Sequence, residues 1–158
     1  MNQPRQPFRI NVGFLINQPI GYCRNFPFSF NNFQFRDDEI VENLSGTINL
    51  IRTQSGIQSD VEATAAIDAQ CVRCLEPFKQ VLHTTFQELF AFAREPLSED
   101  EESIPEDGYL DFEQSIKDYL FLEIPIKPVC TPECRGLCVF CGHNLNESPC
   151  KHFVQEKG

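Results

Sequence analysis

Apolar residues recur at every second position through most of this chain, the spacing of strands with one buried face. Residues 8–16, FRINVGFLI, alternate loosely and predict a first strand. In residues 26–36, FPFSFNNFQFR, Phe26, Phe28 and Phe30 keep step, and Phe33 and Phe35 resume after a shift. That break predicts a strand with a bulge or turn near Asn31-Asn32. These rings are expected to pack in the core; a platform for stacked bases is the sharper alternative.

Residues 44–53 and 57–70, joined by Gln54-Ser55-Gly56, predict a hairpin. Residues 78–90 are rich in β-branched and aromatic side chains and predict a further strand, with His83 an ordinary member of it. Cys71-Val-Arg-Cys74 then falls near the turn between two antiparallel strands. The period changes at 111–124, DFEQSIKDYLFLEI, where Phe112, Ile116, Tyr119, Leu120 and Glu123 stand at helical spacing. Asp111 is the expected N-cap, and Pro125 and Pro128 end the helix. The pattern implies an α+β fold: an antiparallel β-sheet domain over 1–128 with one main helix, and a cysteine-rich lobe over 129–158.

With 158 residues and 41% apolar content, the chain can bury a core without disulfide staples. It has no run long enough for a transmembrane helix, and its first residues lack the pattern of a secretory signal. A reducing cytoplasm is therefore expected. The net charge is -10, with seven acids and no base within residues 95–107. That stretch is expected to be a solvated loop, or else a docking tail or nucleic-acid mimic. An acidic chain is a poor non-specific binder of nucleic acid, so contact with RNA calls for a local basic patch or a basic protein partner.

The eight cysteines carry the chemistry. Cys23 stands apart at a strand start. Cys71 and Cys74 form one pair; Cys130, Cys134, Cys138, Cys141 and Cys150 form a second cluster, with His152 beyond it. Zinc takes four such ligands at tetrahedral corners. Cys138-Val-Phe-Cys141-Gly142 reads as a knuckle in which glycine lets the backbone fold under a metal. Cys138, Cys141, Cys150 and His152 are assigned to one site, and Cys71, Cys74, Cys130 and Cys134 to a second, giving two zinc ions. Alternatives are one ion held by Cys130, Cys134, Cys138 and Cys141, an iron–sulfur cluster, a redox role for Cys71 and Cys74, and His143 in place of His152. Both quartets are full, whereas a catalytic zinc keeps an open position. No Ser/His/Asp set, P-loop or dinucleotide fingerprint occurs, so no enzymatic activity is expected.

Cys71-Val-Arg-Cys74-Leu-Glu-Pro-Phe78, then Ile124-Pro125 through Cys130, then Arg135-Gly136-Leu137-Cys138-Val-Phe-Cys141-Gly142-His-Asn144-Leu145-Asn146, together resemble the YceD family. These are the large ribosomal RNA subunit accumulation proteins of bacteria and plastids. The likeness spans roughly residues 40–152. It implies a role in building the large ribosomal subunit and no known enzymatic reaction, with large-subunit ribosomal RNA or its precursor, ribosomal proteins, or both as partners; the lack of a long apolar run leaves no membrane contact expected. The family motif extends to Cys130, Cys134 and Cys150, and His152 stands where a second close cysteine is expected. The resemblance covers cytoplasm and plastid stroma alike, and the lack of a transit-like pattern in the first residues favours the cytoplasm. Arg73, Lys79, Lys127, Arg135 and Lys151 lie beside the cysteines and form a candidate patch for RNA or a partner. Asn144 and Asn146 are expected to cap turns. The rival reading is a zinc-linked redox sensor or chaperone.

Overall fold

The computed structural model describes residues 6–92 and 102–152. In chain order the elements are β1 (Arg9–Asn11), α1 (Gly13–Ile16), β2 (Cys23–Gln34), β3 (Ile40–Arg52), β4 (Gly56–Gln70), β5 (Pro77–Ala91), β6 (Glu102–Ser103), β7 (Tyr109–Asp111) and α2 (Glu113–Leu122). Strands β2 to β5 form an antiparallel meander, and β6 joins β5 in parallel, giving the order β2-β3-β4-β5-β6. The sheet is therefore mixed at that edge, where an antiparallel one was expected. A separate antiparallel pair joins β1 to β7.

The sheet has one buried face because its long strands keep the two-residue period. On β4 the inward positions include Ile57, Val61, Ala63 and Ala65. Opposite them on β5 stand Phe90, Phe86, Thr84 and Leu82. α2 covers β4 and β5. Its Ile116 and Leu120 are fully buried, Phe112 meets Phe90 edge-on at 5.9 Å, and Tyr119 stacks on Phe86 at 4.2 Å. These contacts join helix to sheet through aromatic area, the largest apolar burial a side chain offers.

The phenylalanines of β2 belong to this core. Phe33 and Phe35 are buried, and Phe26, Phe28 and Phe30 pack against the cluster. Phe8 meets Phe28, Phe30 and Phe33 within 5.8 Å, so the rings are used in packing and present no platform. The expected shift of phase is real, but the strand does not turn. Pairing steps from Phe30↔Leu44 to Asn32↔Glu42 at constant register, and the irregularity falls on β3 against β4, between Glu42 and Ser45, where Asn43 takes φ 51°.

Other boundaries differ from expectation. The strand expected over 8–16 ends at Asn11, because Asn11 Oδ1 accepts the amide of Gly13 at 2.9 Å and bends the chain into α1. Asp111 closes β7 and is not the N-cap; that place falls to Phe112. Asp111 Oδ1 still accepts the Glu113 amide at 3.0 Å, so it does a cap's work from one residue earlier. Of the acidic stretch, residues 95–101 lie outside the described residues. Its remainder is not a free loop: Glu102 and Ser103 pair with β5, Ile104 is buried, and Asp107 bonds Arg9 at 2.7 Å. Among the described residues, no helix is long and apolar enough to cross a membrane.

Candidate metal centre

Strands β4 and β5 pair from Gly56↔Ala91 to Gln70↔Pro77, and their turn carries Cys71 and Cys74. That turn is held locally. The Cys71 amide donates to Glu76 O at 3.0 Å, the Leu75 amide to Cys71 O at 2.9 Å, and Leu75 adopts φ 63°. Two sulfurs are thereby presented at the end of a rigid hairpin. The segment after α2 runs across the same end, where Val72 N donates to Pro128 O at 2.9 Å. It delivers Cys130 and Cys134. Gly136 follows with φ 76°, and a Cβ there would stand 3.1 Å from Arg73 O, so the close approach of the two segments also favours glycine.

The donor atoms of Cys71, Cys74, Cys130 and Cys134 all lie within 4.8 Å of one another. Cys71 and Cys134 sulfurs are 3.7 Å apart, as are those of Cys74 and Cys130. A disulfide would bring two sulfurs to about 2.05 Å, and all of these thiols are free. Ligands on a tetrahedral ion with bonds of about 2.3 Å stand roughly 3.8 Å apart. The spacing therefore fits four thiolates around one ion. The centre is interior: Cys71 is 0% exposed, Cys74 3% and Cys134 5%, in a small cluster with Phe78, Val129 and Leu137.

The donor atoms of Cys138, Cys141, Cys150 and His152 form a second set within the same 4.8 Å limit. Its knuckle closes through Gly142, at φ 73°, whose amide donates to Cys138 O at 2.9 Å. This set lies at the surface, with Cys141 and His152 exposed. Val139 and Phe140 at its tip are 90% and 77% exposed, and the Phe140 ring lies 5.6 Å from that of His152. His143 is outside the set; its Nε2 meets the Ser148 hydroxyl and carbonyl at 3.0 Å.

The electrostatics suit a cation. Burial opposes ionisation of Cys71, but the amides of Cys74, Cys130 and Arg73 outweigh it and bring that thiol down to about 6. The Asn146 amide and then that of Gly136 hold Cys134 below the usual thiol value, against its burial. Burial and the neighbouring sulfurs of Cys134, Cys74 and Cys71 push Cys130 up to about 12. At the second set, the amides of Cys141 and Phe140 bring Cys138 down to about 7. Aligned N–H groups invite thiolates, while crowding prevents all four sulfurs from ionising unless positive charge sits among them.

The candidate bases have different surroundings. Arg73 donates from Nη1 to Cys134 O at 3.1 Å and Pro132 O at 3.3 Å, tying the two cysteine segments together. Lys79 pairs with Glu42 at 2.8 Å and with Asp68, so acids offset its charge. Lys127, Arg135 and Lys151 have no ion pair among the described residues, and all three are exposed. Sequence reasoning placed Asn144 and Asn146 in turns but missed a second task. Asn144 Oδ1 accepts the Asn146 amide at 2.9 Å, and Asn146 Oδ1 accepts that of Arg135 at 2.8 Å. Asn146 Nδ2 also donates to Cys134 Sγ at 3.2 Å. The only signal for this was the placement of asparagines between cysteines.

A hairpin and a post-helical segment brought together by thiols define a class of α+β protein whose sheet is anchored to a cysteine-rich lobe able to hold metal. Comparison gives that class its family. The chain belongs to the YceD family: the family described as "Large ribosomal RNA subunit accumulation protein YceD" matches over residues 59–157. An uncharacterised protein of Mycobacterium tuberculosis is 40% identical over 84 residues, 51% of this chain and 41% of that protein. One from Mycobacterium leprae is 32% identical over 118 residues, 70% of this chain and 54% of that protein. A Zea mays protein named "Large ribosomal RNA subunit accumulation protein YCED homolog 1, chloroplastic" is 48% identical over 40 residues, 25% of this chain and 14% of that protein. The chain thus spans about half the length of the mycobacterial relatives it matches. No solved structure matches it.

Proposed function

We propose that this protein is a non-enzymatic factor in building the large ribosomal subunit, supporting accumulation of large-subunit ribosomal RNA. In this reading it acts in the cytoplasm. Two zinc ions serve as structural cross-links, one held by Cys71, Cys74, Cys130 and Cys134, the other by Cys138, Cys141, Cys150 and His152. The first fastens the lobe from residue 129 onward to the hairpin of the sheet, and the second closes the lobe on itself. The observation that carries the proposal is the tetrathiol set at the hairpin end, whose 3.7 Å sulfur spacings suit a closed tetrahedral site. A full donor set leaves no position for substrate, which favours a structural role over Lewis-acid catalysis. Burial of the first set also shields its thiols, which favours a stable cross-link over a redox sensor.

The lobe and the segment leading into it expose the cations Lys127, Arg135 and Lys151 and the apolar side chains Ile126, Val139 and Phe140. Cations for phosphates and an exposed ring for unpaired bases suit a ribosomal RNA surface. The test is ultraviolet crosslinking of the tagged protein in growing cells, with sequencing of the bound RNA. Discrete enriched sites in large-subunit ribosomal RNA are expected. Ribosomal proteins without crosslinked RNA would move the contact to protein, and loss of both would overturn the proposal.

A further inference from the structure

Only three residues separate Cys134 of the first candidate metal centre from Cys138 of the second, but the contacts between the centres are richer than that link. Leu137 bridges to Asn144 as in an antiparallel pair, the Leu145 amide donates to Gly136 O at 2.9 Å, and the Cys138 amide donates to His143 O at 2.8 Å. The loop between Cys141 and Cys150 is thus laid along the strip joining the two centres. Asn146 sits at the end of this ladder. Its Oδ1 holds the Arg135 amide at 2.8 Å while its Nδ2 reaches Cys134 Sγ at 3.2 Å.

We infer that Asn146 is a positioning residue that couples the two centres, so that filling the second site tightens metal binding at the first. The inference rests on the metal reading proposed above. The physical chain is short. An ion shared by Cys138, Cys141 and Cys150 closes the loop that carries Asn146. Closing it removes conformational freedom that the loop must otherwise lose whenever the Asn146–Cys134 bond forms. A preplaced N–H on a ligating sulfur stabilises its ionised form, and outer partners of this kind alter metal affinity about 10- to 100-fold. Linkage makes the effect mutual, so filling the first site favours the second by the same factor.

The test uses the full chain, stripped of metal under reducing conditions and titrated with cobalt(II). The intensity of thiolate-to-cobalt charge transfer distinguishes the tetrathiolate site from the site with three thiolates and one imidazole. Asn146→Asp keeps the acceptor for the Arg135 amide but removes the donor to Cys134. Cys141→Ser disables the second site. Each variant is expected to weaken the tetrathiolate site about tenfold, and the double variant about as much as either alone. If Cys141→Ser leaves the lobe unfolded, Asn146→Asp carries the test, because it keeps all eight ligands. Its first-site affinity must fall and must no longer depend on whether the second site is filled. Unchanged first-site affinity in Asn146→Asp, or fully additive losses in the double variant, would overturn the coupling while leaving the metal sites standing. Absence of any tetrathiolate cobalt spectrum in the unsubstituted chain would overturn the metal reading, and the coupling with it.

Discussion

The guanidinium of Arg73 donates to the main-chain carbonyl of Cys134 at 3.1 Å. A residue lying between two sulfurs of the hairpin turn is therefore fastened beside a third sulfur, 61 residues away in sequence. The same nitrogen reaches Pro132 O at 3.3 Å, so it grips both sides of the Glu133 loop.

Replacing Arg73 should loosen this loop without removing a ligand. Arg73→Ala is expected to weaken metal retention at the tetrathiol centre. Arg73→Lys should fail to restore it, since the shorter, flexible lysine chain lacks the rigid planar end that holds Nη1 between the two carbonyls. Competition with a colorimetric chelator gives the comparison, and full rescue by lysine would show that charge alone matters.

Metal content gives a second prediction. The purified chain should carry two zinc ions by elemental analysis. Cys71→Ser and Cys138→Ser should each retain one and melt at lower temperature, with the larger loss for Cys71→Ser because its centre is interior. A variant with full metal content and an unchanged melting temperature would refute the structural role.

Glu113 is 5% exposed and accepts the Arg36 amide at 2.8 Å, with Arg36 Nε 3.3 Å from its other oxygen. Glu113→Ala leaves that amide without its acceptor and should cost about 1–3 kcal/mol in urea unfolding. Glu113→Gln keeps an acceptor and should cost less.

Glu88 offers a test by pH. Burial raises its pKa above 4.5, and the charge of Glu102 adds to this, while a hydrogen bond from Ser115 opposes it. A carboxyl whose pKa is higher in the fold than in the unfolded chain loses stability as pH rises through the folded value. Glu88→Gln should therefore melt higher than the parent at pH 7. The difference should shrink as pH falls and vanish below about 4, where both states hold the proton. A gain of the same size at every pH would assign the effect to packing.

The long strands were legible because alternation over a dozen residues has one physical meaning when one face is buried. The gathering of the sulfurs was legible for a related reason: paired thiols at short spacing can converge only where the chain turns back, at Cys71 to Cys74 and again at Cys138 to Cys141. What escaped sequence reading depends on partners with no local mark. The two-residue β6 has too few positions to show a period. Its parallel partner Phe90 could not be inferred from Glu102 alone. Lys79 looked available beside the cysteines, yet Glu42, 37 residues earlier, holds it. The break after Asn11 turned on one side-chain oxygen capturing one amide. Asn146 reads as an ordinary turn residue until its distance to Cys134 is known.

The hairpin turn carrying Cys71 and Cys74 has a consequence for the order of events during synthesis. Cys130 follows Cys74 by 56 residues, a stretch that includes β5 and α2. A nascent chain emerging N-terminus first displays half of this centre while the other half is still unmade. The β4–β5 hairpin is complete well before the closing cysteines arrive, whereas α2 ends only shortly ahead of Cys130, so the second half of the centre would meet a hairpin already made. A metal ion captured early by the first pair would be held at two corners only, and would exchange freely until translation delivered the rest.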